Sequence, residues 1–176
     1  LIQVDSDDNI IGHQSKADCH KGEGLLHRAF SIFIFNNKKQ LLLQKRSQHK
    51  ILWPLFWSNS VCSHPRMNES YQQATKRRLM EELGLAAPLK FLFKFQYQSA
   101  YQEIGSENEL CSVYIGQYDG DIQANPLEIA EWKFVDISTL NKNISNNPEQ
   151  FTPWFKMEWQ RIQDCYNVEL NNLEAM

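Results

Sequence analysis

Residues 57–85, WSNSVCSHPRMNESYQQATKRRLMEELGL, decide how this chain folds. Cys62 and His64 sit two apart at the end of a β-like run, Pro65 stops that run, and a polar loop leads into a helix. Ser70 followed three residues later by Gln73 reads as a capping box, in which hydroxyl and carboxamide each satisfy an orphan backbone N–H. Gly84 suits the left-handed position that closes a helix, because it has no Cβ to clash there. Ala74, Leu79 and Leu83 can then turn inward, while Ala74, Arg78 and Glu82 share a face at i, i+4 spacing with Glu81 beside them. Taken alone, Arg77, Arg78, Glu81 and Glu82 read as a solvated surface with pairs worth about 0.2–0.5 kcal/mol each. Entry to this helix from a Cys-x-His turn through Glu69 argues for more: a site for a metal and phosphates.

On the N-terminal side, residues 1–12 read as a hairpin turning at 5–9, and residues 16–24 as irregular. HRAFSIFIFN, residues 27–36, has the aromatic and β-branched density of a buried strand, and Asn36-Asn37-Lys38-Lys39 turns it into QLLLQKR. Residues 48–54 form a loop and 55–61 a third, central strand. On the C-terminal side, alternation predicts strands over 89–100 and 110–118 with a turn at 102–108, then a strand over 131–135. A short turn at 138–140 and a polar loop at 141–147 follow. Thr152 as N-cap and Pro153 at the first helical position start a terminal helix through Trp154, Phe155 and Trp159 towards Cys165. Strand runs flanking helices give an α/β sandwich with a mixed sheet, a single domain over residues 1–176 with its core at about 16–166.

A chain of 176 residues can bury roughly two-thirds of its unfolded surface. With 42% hydrophobic and 22% charged residues it has the composition of a soluble globular protein. A net charge of −3 leaves no general basic footprint for nucleic acid, and no apolar run has the length to cross a bilayer. Cys19, Cys62, Cys111 and Cys165 are widely spaced, so reduced thiols in the cytoplasm are expected, with Cys111 and Cys165 as buried small hydrophobes.

Glu69, seven further residues, Arg77, and then Glu81-Glu82-Leu83-Gly84-Leu85 resemble the Nudix box, a loop and helix that bind a divalent cation and a diphosphate. Ser63 replaces the usual opening glycine, and Arg78 replaces the first glutamate after the arginine, which removes part of the metal shell that hydrolysis needs. The surrounding SVCSHP and a downstream Glu107-Asn108-Glu109 instead resemble the type I isopentenyl-diphosphate isomerases, from about Lys16 to Trp154. The resemblance implies a Nudix-like α/β/α sandwich and a small-molecule isoprenoid diphosphate as substrate, in a monomer or homodimer.

In a strand, Glu107 and Glu109 face one side while Asn108 faces the other, so two carboxylates can reach one ion. With His20, His27 and His64 they make five ligands of an octahedral set for Mn²⁺, Mg²⁺ or Zn²⁺ with one position to spare, and the resemblance implies the same set. A lone histidine is more often an ordinary polar residue than a ligand, and His13 and His49 are left as surface residues. A second ion, Mg²⁺ on the substrate diphosphate, is implied at Glu82 with the backbone carbonyl of Cys62. Lys16, Arg46, Lys50 and Arg78 match phosphate-contacting positions, whereas Lys45 and Arg77 read as solvated charges.

The reaction so implied moves a double bond by protonating one carbon and deprotonating another. Glu109 is expected as metal ligand and proton donor with Tyr97 within hydrogen-bond reach, Cys62 as the thiolate partner on the opposite face of the substrate, and Trp154 as either a π-face for the cation or an apolar anchor. Two alternatives stand beside this. One is a Nudix-type diphosphate hydrolase; the other is a noncatalytic zinc module built on Cys19, His20, Cys62 and His64.

Overall fold

The computed structural model describes residues 1–172, and its spine is β3 (His27–Phe35), in which every residue but Arg28 is buried. A strand covered on both faces reads as a near-continuous apolar run, as HRAFSIFIF does. β8 (Gly105–Gln117) runs parallel to it, from His27 opposite Glu109 to Phe35 opposite Gln117. β7 (Leu89–Tyr101) returns antiparallel along β8. On its other side β3 meets three partners in turn: β1 (Ile2–Val4) at His27, β6 (Val61–Ser63) at residues 30–32, and β4 (Leu41–Arg46) at Phe35. β2 (Ile10–His13) pairs with β1, and both β5 (Trp57–Ser58) and β9 (Ile129–Val135) pair with β4.

Alternation along β3 divides the core in two. Ala29, Phe33 and Phe35 face Leu140 of α3 (Ile137–Asn146) and Trp154, Phe155, Trp159 and Ile162 of α4 (Pro153–Cys165). Phe30, Ile32 and Ile34 face Ala74, Leu79 and Leu83 of α2 (Tyr71–Leu83). The result is the expected α/β/α sandwich on a mixed sheet. The expected signals of α2 are all present: Ser70 and Gln73 form the capping box, and Gly84 closes the helix at φ 65°.

Elsewhere the sequence reading needs correction. Residues 55–61 are not one strand: Asn59 and Ser60 separate β5 from β6, because their side chains take the places of ladder groups. Asn59 Nδ2 donates to the carbonyls of Ile32 and Val61, and Ser60 Oγ donates to Leu42 and accepts from the Ile34 N–H. Residues 16–24 begin with a short helix, α1 (Lys16–Cys19), capped by the Ser15 hydroxyl. The turn after β7 spans only 102–104, so Glu107 to Glu109 lie inside β8. Residues 137–146 are helical because Ile137, Leu140 and Ile144 recur at i, i+3, i+7 and pack on the core. A further short helix, α5 (Asn167–Asn171), follows α4. Thr152 starts α4 without a side-chain cap; its hydroxyl meets Ser58 Oγ at 3.0 Å instead. Cys165 is exposed rather than buried, and all four thiols are free.

Candidate active site

The register of β3 and β8 builds the centre. His27 is the first residue of β3 and lies directly opposite Glu109, so both side chains emerge on the α4 face of the sheet. Two residues earlier on β8, Glu107 emerges on the same face, while Asn108 points the other way and donates to the Gly24 carbonyl. His64 follows the end of β6, and His20 caps α1. The close approach of His20 depends on Gly105: a Cβ there would lie 2.3 Å from the His20 carbonyl oxygen, which accepts from the Ser106 N–H at 3.0 Å.

One ligand atom from each of His20, His27, His64, Glu107 and Glu109 falls within 4.8 Å of all the others. The Nδ1–H groups of His20 and His27 each donate to a backbone carbonyl, of Lys16 and Leu25, at 2.6 Å. That fixes the tautomer and turns both Nε2 lone pairs inward, the arrangement of a metal-binding imidazole. His20 Nε2, His27 Nε2 and Glu107 Oε2 are buried without a hydrogen-bond partner among the described residues. His20 Nε2 and Glu107 Oε2 approach to 2.7 Å, yet not along a hydrogen-bond direction, as expected of groups aimed at a shared point. Burial lowers His27 to about 4 and His64 well below its usual value, so both rings are neutral at neutral pH and able to ligate. Burial first and the Glu107 charge next raise Glu109 well above the carboxylate range. A divalent cation fits this donor set and would take over the charge balance that one proton now provides.

Glu109 also accepts from the Tyr97 hydroxyl at 2.5 Å and meets His64 Nε2 at 2.8 Å. Cys62 lies opposite Ser31 on β3, four residues on from His27, and therefore points to the same face as Glu109. Its thiol donates to Asn59 Oδ1 at 2.7 Å and accepts from the Trp154 indole N–H at 3.1 Å. Burial, then the nearby Glu158, pushes the thiol up to about 12. The Trp154 and Tyr97 rings are 6.2 Å apart, so a continuous wall runs from the sulfur to the Glu109 carboxyl. Arg46 lies 5.1 Å over the Trp154 ring, and the indole is buried.

The cations and Glu82 form a second group. Arg78 donates to Glu82 Oε1 at 2.6 Å, to Glu81 at 2.8 Å and to Glu128 at 3.0 Å, and Lys50 also pairs with Glu128. Despite partial burial, Lys50 and Arg78 hold Glu128 at about 2. Glu82 Oε2 is buried with no partner among the described residues, an oxygen left over for an ion. Lys16 is exposed, yet loss of hydration first and the charges of Lys50 and Arg46 next lower its ammonium, which places it with them. Arg46 is partly committed, donating to the Trp53 and Leu52 carbonyls. Arg77 is not a solvated charge: it grips Glu69 through two bonds of 2.7 and 2.8 Å and so ties the loop to α2. Cys19 is fully buried and outside the metal-type cluster, which contains no sulfur, so the Cys/His zinc module does not form. Glu128 and Ser31 went unnoticed in the sequence because each sits in a segment with no motif, and Asn59 because residues 55–61 read as one continuous strand.

This fold and cluster define a Nudix-type domain with a buried His/Glu cluster that could hold a metal ion. The family model described as NUDIX domain matches residues 25–155. The crystal structure of DR0079 from Deinococcus radiodurans superposes with a TM-score of 0.69 at 25% identity, covering 83% of this chain and 88% of that one. Among curated proteins, isopentenyl-diphosphate Delta-isomerase 1 of Photorhabdus laumondii is 45% identical over 92% of this chain and 93% of its own length. The isopentenyl-diphosphate Delta-isomerase of Serratia proteamaculans is 47% identical over 88% and 86%. The chain belongs to the isopentenyl-diphosphate Delta-isomerase family of Nudix-domain proteins.

Proposed function

We propose that this isomerase interconverts isopentenyl and dimethylallyl diphosphate with Cys62 and Glu109 as its two proton-handling groups. The observation that carries the assignment is the shared face: sheet register aims both side chains at one side, and the Trp154–Tyr97 wall joins them. Glu109 keeps its proton near neutral pH, as a donor to an unactivated alkene must, and Cys62, which burial holds as a thiol rather than the expected thiolate, has to shed its proton before its sulfur can take one from the substrate. Protonating one end of the alkene develops a tertiary carbocation, and the opposite group then removes a proton from the neighbouring carbon. Tyr97, a donor whose own proton burial retains, orients Glu109. Trp154 places its N–H on the sulfur and its ring beside the reacting carbons. Cation–π attraction of about 2 kcal/mol supplies only part of the roughly 8–23 kcal/mol that catalysis requires, so the fixed carboxyl and sulfur must supply more.

His20, His27, His64, Glu107 and Glu109 are assigned to one divalent cation, Mn²⁺, Mg²⁺ or Zn²⁺, and Glu82 with the Cys62 carbonyl to Mg²⁺. Bound there, these ions would fix Glu109 and neutralise the diphosphate. Lys16, Arg46, Lys50 and Arg78 are assigned to the diphosphate oxygens, with Glu128 releasing Lys50 and Arg78 as the anion arrives. The four free thiols suit a reducing compartment such as the cytoplasm.

The test is formation of the allylic product from isopentenyl diphosphate, with and without chelator. Cys62→Ala and Glu109→Gln should each lower turnover by at least roughly 10²-fold, the scale for a positioned acid or base. Near-normal turnover in either folded variant rejects that residue's role. Vigorous phosphate release from nucleoside diphosphate derivatives would favour the hydrolase, against which stands Arg78, whose guanidinium already occupies Glu81 and Glu82.

A further inference from the structure

We propose that Ser58 is a positioning residue for the reaction: its hydroxyl, which donates to Asn59 in the resting thiol form, turns to the Cys62 sulfur when that sulfur takes part in proton transfer. The inference rests on the assignment of Cys62 above. Ser58 is fully buried at the end of β5. Its Oγ lies 3.0 Å from Asn59 Oδ1 and from Thr152 Oγ1, 3.1 Å from Trp154 Nε1 and 3.5 Å from Cys62 Sγ. Those are four polar neighbours for an oxygen that has one proton to give and two lone pairs to fill.

The protons available in the cluster decide which way each bond runs. The Asn59 carboxamide is locked by its Nδ2, which donates to the Ile32 and Val61 carbonyls, so the atom it turns to the sulfur is the acceptor Oδ1. The Trp154 indole can only donate. Thr152 Oγ1 is buried and has Ser58 as its one partner among the described residues, so its hydroxyl donates to Ser58; the reverse would leave a buried O–H without an acceptor. Ser58 Oγ thus accepts from Thr152 and Trp154, and its own proton has two destinations, Asn59 Oδ1 and Cys62 Sγ. In the thiol form the S–H donates to Asn59 at 2.7 Å, and the Ser58 hydroxyl fills the second lone pair of the same oxygen. A sulfur that has given up its proton has only lone pairs to offer. Rotation about the Ser58 Cβ–Oγ bond then brings the hydroxyl proton to it, and no covalent bond is made or broken. The Trp154 N–H, 3.1 Å from both Ser58 Oγ and Cys62 Sγ, can turn the same way. Donors so placed stabilise the charge on sulfur before it takes a proton from the substrate carbon, and the charge that returns when the reaction runs in reverse.

The experiment compares Ser58→Ala, Thr152→Val and the double variant in the full chain with divalent cation supplied, using circular dichroism for folding and steady-state kinetics of isopentenyl diphosphate turnover. Ser58→Ala should lower kcat roughly 10- to 100-fold with KM unchanged, the loss of one hydrogen bond to a charged sulfur. Thr152→Val takes a hydroxyl from the same cluster but leaves the Ser58 proton, so its kcat should stay close to that of the parent. The double variant removes both hydroxyls and leaves neither orphaned, so it decides if Ser58→Ala alone does not fold. Its kcat should be as low as that of Ser58→Ala. Parental kcat in folded Ser58→Ala or in the folded double variant overturns the proposal. So does a Thr152→Val variant as impaired as Ser58→Ala, because the cluster would then act through packing and not through a donor to sulfur. Cys62→Ala assayed in parallel separates the two levels: an active Cys62→Ala removes the underlying assignment, whereas an inactive one with parental kcat in the Ser58 variants removes only this inference.

Discussion

At the scale of single residues, this site is a set of ionisable groups moved from their ordinary protonation by burial. The same dehydration that leaves His27 and His64 neutral keeps Cys62, Glu109 and Glu158 protonated. Stability must therefore depend on pH through these groups, and Glu158 gives the simplest case. Its carboxyl holds a proton up to about pH 8 in the folded chain, against an ordinary value of 4.5. Between those values the folded state binds the extra proton, so its contribution is complete below about 4.5 and is lost as pH rises through 8. Each unit is worth about 1.4 kcal/mol, so Glu158→Gln should gain on the parent by about 4 kcal/mol between pH 5 and pH 8. Urea midpoints of the two proteins at both pH values check this; parallel pH curves would show that Glu158 titrates normally.

At the scale of elements, glycine decides where two segments can touch. Gly105 opens β8 against the backbone of His20, and no flexible side chain lies between them to yield. Gly105→Ala should leave the β7–β8 hairpin intact but displace α1 with its histidine. Metal affinity should then fall on the order of 10- to 100-fold, the range for disturbed support of a metal ligand. Competition with a chelator measures it, and parental affinity would mean that α1 is free to shift without consequence. The helix α2 is the opposite case, an element whose start, stop and buried face were all written locally in Ser70, Gln73, Gly84 and the Ala74, Leu79, Leu83 stripe. α3 was missed for want of such signals: Asp136 makes no side-chain cap, and the helix is rich in asparagine and serine. Only the packing of Ile137, Leu140 and Ile144 on the core makes it helical.

At the scale of the molecule, five segments distant in sequence close on one centre: α1, the start of β3, the end of β6, β8 and α4. His20 Nε2, His27 Nε2 and Glu107 Oε2 are buried without a hydrogen-bond partner among the described residues, so a bound ion should reinforce this centre. A divalent cation at about a hundred times its Kd adds about 2.7 kcal/mol, a rise in Tm on the order of 5–10 °C for a chain of this size. Thermal melts with and without cation should show that rise, and chelator should reverse it together with activity. Identical melts in the parent and in His27→Asn upon adding metal would place the ion elsewhere.

The sequence by itself determined the class of fold, the α2 helix, the buried β3 strand, and the alternation that puts Glu107 and Glu109 on one face. Each of these depends on residues within a few positions of one another, where propensity, capping and periodicity act. It also carried a signal left unread, a glutamate at position 158 on an otherwise apolar helical stripe. Only the tertiary structure decided that Cys62 and Glu109 share a face, since that follows from how β6 and β8 register on opposite sides of β3. It alone split residues 55–61 at Asn59 and joined Lys50 to Arg78 through Glu128. Such pairings are set by packing between segments far apart along the chain, and local sequence carries no record of distance across a fold.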